Sequence, residues 1–175
     1  MSVDREEYLG EFFGGSRWKP PITSKQEHDI IVSETFEHEH VLDLGCGDNL
    51  FKGRIKNLTA IDKYNPAADI VVDMLEFQAE ENYYDVVVAL GSTNFSPFSN
   101  IEKQIDNIVK WCKPGGRIYM RVNPGISEVN TPEHFLHRWT LDDIIAFTRK
   151  YNLEIIKPIT VTQNIRIIWT WQKPL

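Results

Sequence analysis
Four short apolar runs, each closed by an aspartate or a glycine, constrain this chain more than any other feature. Val41 to Leu44, which contains Asp43, runs into Gly45-Cys46-Gly47; Leu58 to Ile61 is closed by Asp62, Ile70 to Val72 by Asp73, and Tyr84 to Leu90 by Gly91. Runs this short, bounded by turn residues, are strands rather than helices. They lack the alternation of a half-solvated sheet, so the expectation is a sheet of parallel strands buried on both faces. In such a sheet ligands bind beyond the carboxyl ends of the strands, where the aspartates and glycines stand.

The remaining segments supply helices and further strands. Ser24 with Glu27 has the form of a capping box and, with Ile30, Ile31 and Phe36 as an apolar face, predicts a helix from Ser24 to Phe36. Asn100 to Cys112 places Ile101, Ile105, Ile108 and Val109 on one helical face, and Lys113-Pro114-Gly115-Gly116 then reads as a turn into a strand from Arg117 to Val122. Thr140 with Asp143 opens a helix reaching Tyr151. Leu153 to Val161 and Ile165 to Trp171 are strands joined by Thr162-Gln163-Asn164, too short a link for parallel neighbours, so they pair antiparallel. The fold class is α/β, a mostly parallel central sheet with an antiparallel C-terminal hairpin. No repeat or linker divides it: a single domain, 24–175, follows an N-terminal arm, 1–23. The arm mixes Tyr8, Phe12, Phe13 and Trp18 with Gly14-Gly15 and Pro20-Pro21, which makes it apolar enough to pack and too punctuated for a long helix.

A chain of 175 residues, 42% hydrophobic, carries a core without metal or disulfide staples. Cys46 and Cys112 follow no CxxC spacing, which argues against zinc and against a redox pair. A net charge of −6 with no Lys/Arg run argues against nucleic acid as a partner. No stretch reaches the roughly 18 apolar residues of a membrane helix, and the first residues do not form a secretory signal, so a cytoplasmic location is expected. Glu37-His38-Glu39-His40 precedes the first strand, at the wrong end for a site, and reads as a solvated connection. His134 and His137 lack a third ligand in view and read as a surface pair rather than a metal site.

Val41-Leu42-Asp43-Leu44-Gly45-Cys46-Gly47 resembles the glycine-rich first motif of the class I S-adenosylmethionine-dependent methyltransferases. Ala60-Ile61-Asp62, Ile70-Val71-Val72-Asp73-Met74, Tyr84 to Leu90 and Lys113-Pro114-Gly115-Gly116-Arg117 are similar to later segments of that family, in its order. The resemblance runs from Val41 to the C-terminus and implies a Rossmann-like methyltransferase fold with S-adenosylmethionine as cofactor. It implies that Asp62 accepts the ribose hydroxyls, an ionised carboxylate having two oxygens for a vicinal diol. Asp73 and the N–H of Met74 take the adenine. Gly45, Cys46 and Gly47 pass beneath the methionine part, Asp43 orients that loop or reaches the ammonium through water, and the carbonyls of Leu90 and Gly91 accept from it. Lys63 is counted among the cofactor-binding residues, and Asp85, at a strand start, as a structural turn residue.

The sequence departs from the family in two places. Asn49 stands where the family often has glycine, a mild change because Asn tolerates left-handed backbone. The links after the first and second strands are too short for full crossover helices, so these are reduced or absent. The motif also speaks against a nicotinamide-binding oxidoreductase, since G-x-G-x-x-G counted from Gly45 requires glycine where Leu50 stands. The function implied is in-line methyl transfer to a small-molecule acceptor; the rival is a sensor or partner subunit that keeps the cofactor and transfers nothing. Asn94 is the candidate for positioning the acceptor. Phe95, Arg121 and Asn123 are candidate substrate residues, and Arg17 and Trp18 a candidate lid. Arg121 either recognises a carboxylate or phosphate, or is a paired strand residue on the face of Arg117 and Tyr119.

Overall fold
The computed structural model describes residues 4–15, 22–124, 135–162 and 166–175. Its centre is a seven-stranded sheet: β1 (His40–Leu44), β2 (Asn57–Asp62), β3 (Ile70–Val71), β4 (Tyr84–Leu90), β5 (Cys112–Val122), β6 (Glu154–Val161) and β7 (Ile167–Gln172), in the order β3-β2-β1-β4-β5-β7-β6. The first five strands are parallel, and β7 runs antiparallel to both β5 and β6. Strand order reverses between β1 and β4, which pair Val41 with Val86 and Asp43 with Val88.

The apolar runs are buried as expected only in the middle of the sheet. Along β1 and β4 alternate residues feed two cores: Leu42, Leu44, Val87 and Ala89 join one, Val41, Val86 and Val88 the other. The first core lies under α3 (Phe98–Trp111) and α4 (Leu141–Lys150) and holds Trp111, Trp139, Trp169 and Trp171. The second lies under α2 (Ile22–Glu34) and is filled by Ile31, Phe51, Ile55 and Tyr119. Fully burying one such large apolar side chain stabilises the fold by about 1.5–3 kcal/mol. At the edge, β3 is only two residues long and solvent-exposed, so the expectation of a sheet covered throughout fails there.

Several boundaries differ from the sequence reading for identifiable reasons. The helix expected from Ser24 to Phe36 begins at Ile22 and ends at Glu34, so Ser24 lies inside it rather than capping it. Ile30 and Phe36 are exposed, and Ile31 with partly buried Val32 provides the packing. Lys113-Pro114-Gly115-Gly116 is not a turn before β5 but an irregularity inside it: Tyr84 pairs with Cys112 and Val86 with Arg117, and Gly115 takes a φ of +77°. Asp85 is the structural residue expected, accepting the His40 N–H at 2.8 Å and pairing with Lys113 at 2.7 Å. Turns alone link β1 to β2, β2 to β3 and β3 to β4, as the short spacings require. Thr140 and Asp143 form the reciprocal capping box of α4. A ten-residue helix, α1 (Arg5–Gly14), occupies the arm, its first turn capped by Asp4, whose carboxylate accepts the Glu7 N–H at 3.0 Å. Both cysteines are buried free thiols.

Candidate functional site
A cavity of about 170 Å³ opens at the carboxyl ends of β1 and β4, where strand order reverses. Its floor is the loop after β1. Gly45 has a φ of +72°, and a Cβ there would stand 2.4 Å from the Cβ of Ser92, so only glycine lets the two strand ends approach. The N–H groups of Gly45 and Cys46 both donate to the Ile61 carbonyl, at 2.8 and 3.0 Å, tying the loop to β2. Asn49 takes the left-handed conformation at φ 53° and donates to the Ala67 carbonyl at 3.0 Å, the tolerance expected of it.

Three carboxylates line the floor, each with different partners. Asp62 accepts three backbone N–H bonds, from Gly47 at 3.0 Å and from Tyr64 and Asn65 at 2.8 and 2.9 Å, which lock its orientation at the mouth of the loop. An ionised carboxylate has about four lone-pair sites, so capacity for another donor remains. Asp73 accepts the Leu75 N–H at 2.9 Å and pairs with Lys63 at 3.2 Å. Asp43 is buried, and its Oδ2 has no partner among the described residues. Burial pushes its carboxyl up to about 8, helped by the charge of Asp62 and opposed by that of Arg121. Beside it the Cys46 thiol is raised by burial and by the same aspartates, which leaves it no thiolate character.

The helix of the arm lies over this floor. Arg5, Leu9 and Phe13 line the cavity from α1, and Leu9 is 1% exposed. Glu6 pairs with Lys63 and accepts from the Tyr64 hydroxyl at 2.9 Å. Burial works against the Lys63 ammonium, but Glu6 and Asp73 outweigh it and hold its pKa above the ordinary lysine value. On the far rim Arg5 donates to the Phe95 carbonyl, and Phe13 meets Phe95 edge-on with ring centroids 4.8 Å apart.

All ten residues expected to hold a cofactor, Asp43, Gly45, Cys46, Gly47, Asp62, Lys63, Asp73, Met74, Leu90 and Gly91, line this one cavity, as do Phe95, Arg121 and Asn123. Arg121 is also engaged within the protein. Its guanidinium is buried, paired with Glu27 of α2 at 2.5 Å and donating to the Leu90 carbonyl at 2.8 Å. The paired-strand reading therefore holds: Arg117, Tyr119 and Arg121 share one face of β5 and bind Glu39, Glu34 and Glu27. Asn94 is completely buried, lies outside the cavity wall, donates to the carbonyls of Asn123 and His137 at 2.9 and 3.3 Å, and accepts the Asn123 N–H at 3.0 Å. With both ends of its amide engaged it clamps chain segments together. Arg17, Trp18 and His134 lie outside the described residues.

Sequence reasoning missed Arg5, His28, Gln104 and Arg166, which also line the cavity. His28 packs on Phe51 with centroids 4.4 Å apart. The one local signal was in the arm, where Arg5, Leu9 and Phe13 are spaced four apart and so share a helical face.

By sequence the chain matches no protein-family model and no curated protein. Its architecture does match solved structures. The 1,6-didemethyltoxoflavin-N1-methyltransferase of Burkholderia thailandensis, crystallised with 1,6-didemethyltoxoflavin and S-adenosylhomocysteine, aligns with a TM-score of 0.74 at 15% identity, over 98% of this chain and 87% of that one. The N-methyltransferase NodS of Bradyrhizobium japonicum WM9, in complex with S-adenosylhomocysteine, aligns with a TM-score of 0.72 at 16% identity, over 98% of this chain and all 100% of that one. This chain has the class I methyltransferase fold. The [4+2]-cyclase SpnF shares that fold, with a TM-score of 0.70 at 14% identity over 97% of this chain and 92% of that one. A methyltransferase fold thus supports more than one reaction, and function has to be argued from the site.

Proposed function
We propose that this chain is an S-adenosylmethionine-dependent methyltransferase acting on a small-molecule acceptor. The observation that carries the reading is the buried Oδ2 of Asp43, without a partner among the described residues, on a cavity floor shared with Asp62 and Asp73. A cavity floored by carboxylates at three strand ends fits a ligand with an ammonium, a ribose diol and an exocyclic amine. Asp43 faces the ammonium, Asp62 the diol and Asp73 the adenine amine, with the Met74 N–H at the ring. The open backbone at Gly45 and Gly47 lets the loop pass under the methionine part.

When bound, the cofactor supplies a methyl group activated on a sulfonium. The protein's own work is then alignment and exclusion of water. Arg5, Leu9 and Phe13 cover the cavity from one side, while Ser92, Phe95 and Asn123 close it from the other. Asn94 is committed to structure, and an acceptor that attacks as a neutral amine or an ionised oxygen needs no base of its own.

Calorimetric titration with S-adenosylmethionine, S-adenosylhomocysteine and NAD tests this reading. Micromolar binding of the two sulfur compounds and none of NAD is the expected result. Asp62→Ala lowers that affinity at least about tenfold, because it removes charge-assisted hydrogen bonds. NAD binding, or an unchanged affinity in the variant, removes the assignment.

A further inference from the structure
The helix of the arm carries two functional stripes, each with residues four apart. Glu6, Gly10 and Gly14 form the docking stripe: Glu6 holds Lys63 and Tyr64, and Cβ atoms at Gly10 and Gly14 would stand 3.6 Å from the Tyr64 ring and 3.0 Å from its carbonyl oxygen. A Cβ at Gly10 would make ordinary contact, whereas one at Gly14 would crowd the Tyr64 carbonyl, so Gly14 is where α1 needs glycine to lie on Tyr64. The adjacent stripe, Arg5, Leu9 and Phe13, is thereby turned into the cavity.

What that second stripe presents differs chemically from the floor. The carboxylates lining the cavity, Asp43, Asp62 and Asp73, all stand at or just past the ends of β1 to β3. Arg5 shares its side of the cavity with Phe13, Phe95, Ser96 and Gln104, and its Nη1 stands 3.7 Å from the Glu6 carboxylate. The Arg5 Nη2 is 3.4 Å from the Ser96 hydroxyl, which is itself 3.4 Å from the Gln104 amide. The Arg5 Nε is buried and has no partner among the described residues, and the Oε1 of Gln104, a residue only 5% exposed, has none either. Buried donors and acceptors of this kind are normally satisfied, by protein, water or ligand.

We propose that Arg5 recognises the methyl acceptor, binding a carboxylate on a small aromatic molecule whose ring lies against Phe13 and Phe95. This rests on the cofactor assignment above. A guanidinium edge matches a planar carboxylate, and the two phenylalanines at this rim supply the flat apolar surface for a ring. Gln104 then meets a polar substituent on the ring. Acceptor binding and closure of α1 become one event, since the residue that reads the acceptor is carried by the helix that covers it.

The test uses the full chain saturated with S-adenosylhomocysteine and ligand-observed NMR against matched pairs: benzoate, anthranilate, salicylate and nicotinate, each beside its primary amide. At least one carboxylate is expected to bind about tenfold more tightly than its amide, the scale of a charge-assisted hydrogen bond. Arg5→Met erases that preference and Arg5→Lys keeps part of it, each measured at an S-adenosylhomocysteine concentration that saturates the variant, so that any loosening of α1 is separated from recognition of the acid. Glu6→Gln, which loosens the docking stripe and removes the carboxylate 3.7 Å from the Arg5 guanidinium, weakens acid and amide alike and leaves the carboxylate favoured. A panel in which no carboxylate is favoured, or a preference that survives Arg5→Met, overturns the assignment of Arg5 alone. Failure of the unaltered chain to bind S-adenosylhomocysteine overturns the cofactor assignment and this one with it.

Discussion

Asp43 shows how one residue can trade stability for a site. Its carboxyl ionises near 3.8 in water and is pushed up to about 8 in the fold, by burial first and then by Asp62, against the pull of Arg121. Between those values the folded state holds a proton that the unfolded chain has released, so the linkage has the opposite sign to that of a salt-bridged aspartate: stability falls as pH rises through this window. Asp43→Asn removes the ionisation while keeping the shape. The melting temperature of the variant is expected to exceed that of the unaltered chain by a margin that widens from about pH 5 to about pH 8, while its affinity for S-adenosylmethionine drops. Parallel melting-temperature curves across that range would show that burial of Asp43 carries no ionisation penalty. A cationic ligand beside Asp43 stabilises the charged form, so cofactor binding at neutral pH releases a proton, which calorimetry in buffers of different ionisation enthalpy detects.

Among the elements, legibility followed the range of the forces involved. β1 and β4 could be read directly because central parallel strands are buried on both faces and show as unbroken apolar runs. The glycines and aspartates at their ends were legible for the same reason, as each is tied to its own strand. β3 was read correctly in place but wrongly in burial, because its neighbours, not its residues, make it an edge. α2 was blurred at both ends. Polar contacts such as Glu27 with Arg121 and Glu34 with Tyr119 hold it to β5, and such long-range pairs leave no apolar period to read. The bonds of Asn94 left no local signal because its partners, Asn123 and His137, are far away in sequence. At this scale Asn94 is a clamp between the segment after β4, the end of β5 and the segment before α4. Asn94→Ala is expected to destabilise the fold by about 1–2 kcal/mol, leaving the partly buried Asn123 N–H without its acceptor. Chemical denaturation measures the loss, and a variant as stable as the original would return Asn94 to the list of acceptor-positioning residues.

In the whole molecule, the sheet supplies an acidic floor and the arm supplies the cover, and the two are separable in principle. No strand pairs with α1, and its fully buried Leu9 packs at the cavity rather than in either core cluster, so the sheet and the two clusters close without it. The arm depends on the domain through Glu6, whose carboxyl is held below the ordinary glutamate value by its bond to Lys63, against the effect of burial, and by Tyr64. A lowered carboxyl pKa gives a contact that is fully present above the usual 4.5 and fades as pH falls through the folded value. Removing residues 1–18 is therefore expected to leave cooperative unfolding intact and to raise the dissociation rate of S-adenosylhomocysteine about tenfold, as loss of a closing element does. The intact chain should lose retention toward acid pH through protonation of Glu6, and the truncated chain should lack that component of the profile. Stopped-flow displacement of the bound nucleoside measures both. Equal dissociation rates with and without the arm would mean that α1 rests on the site without governing exchange, whereas failure of the truncated chain to fold would make the arm part of the domain itself.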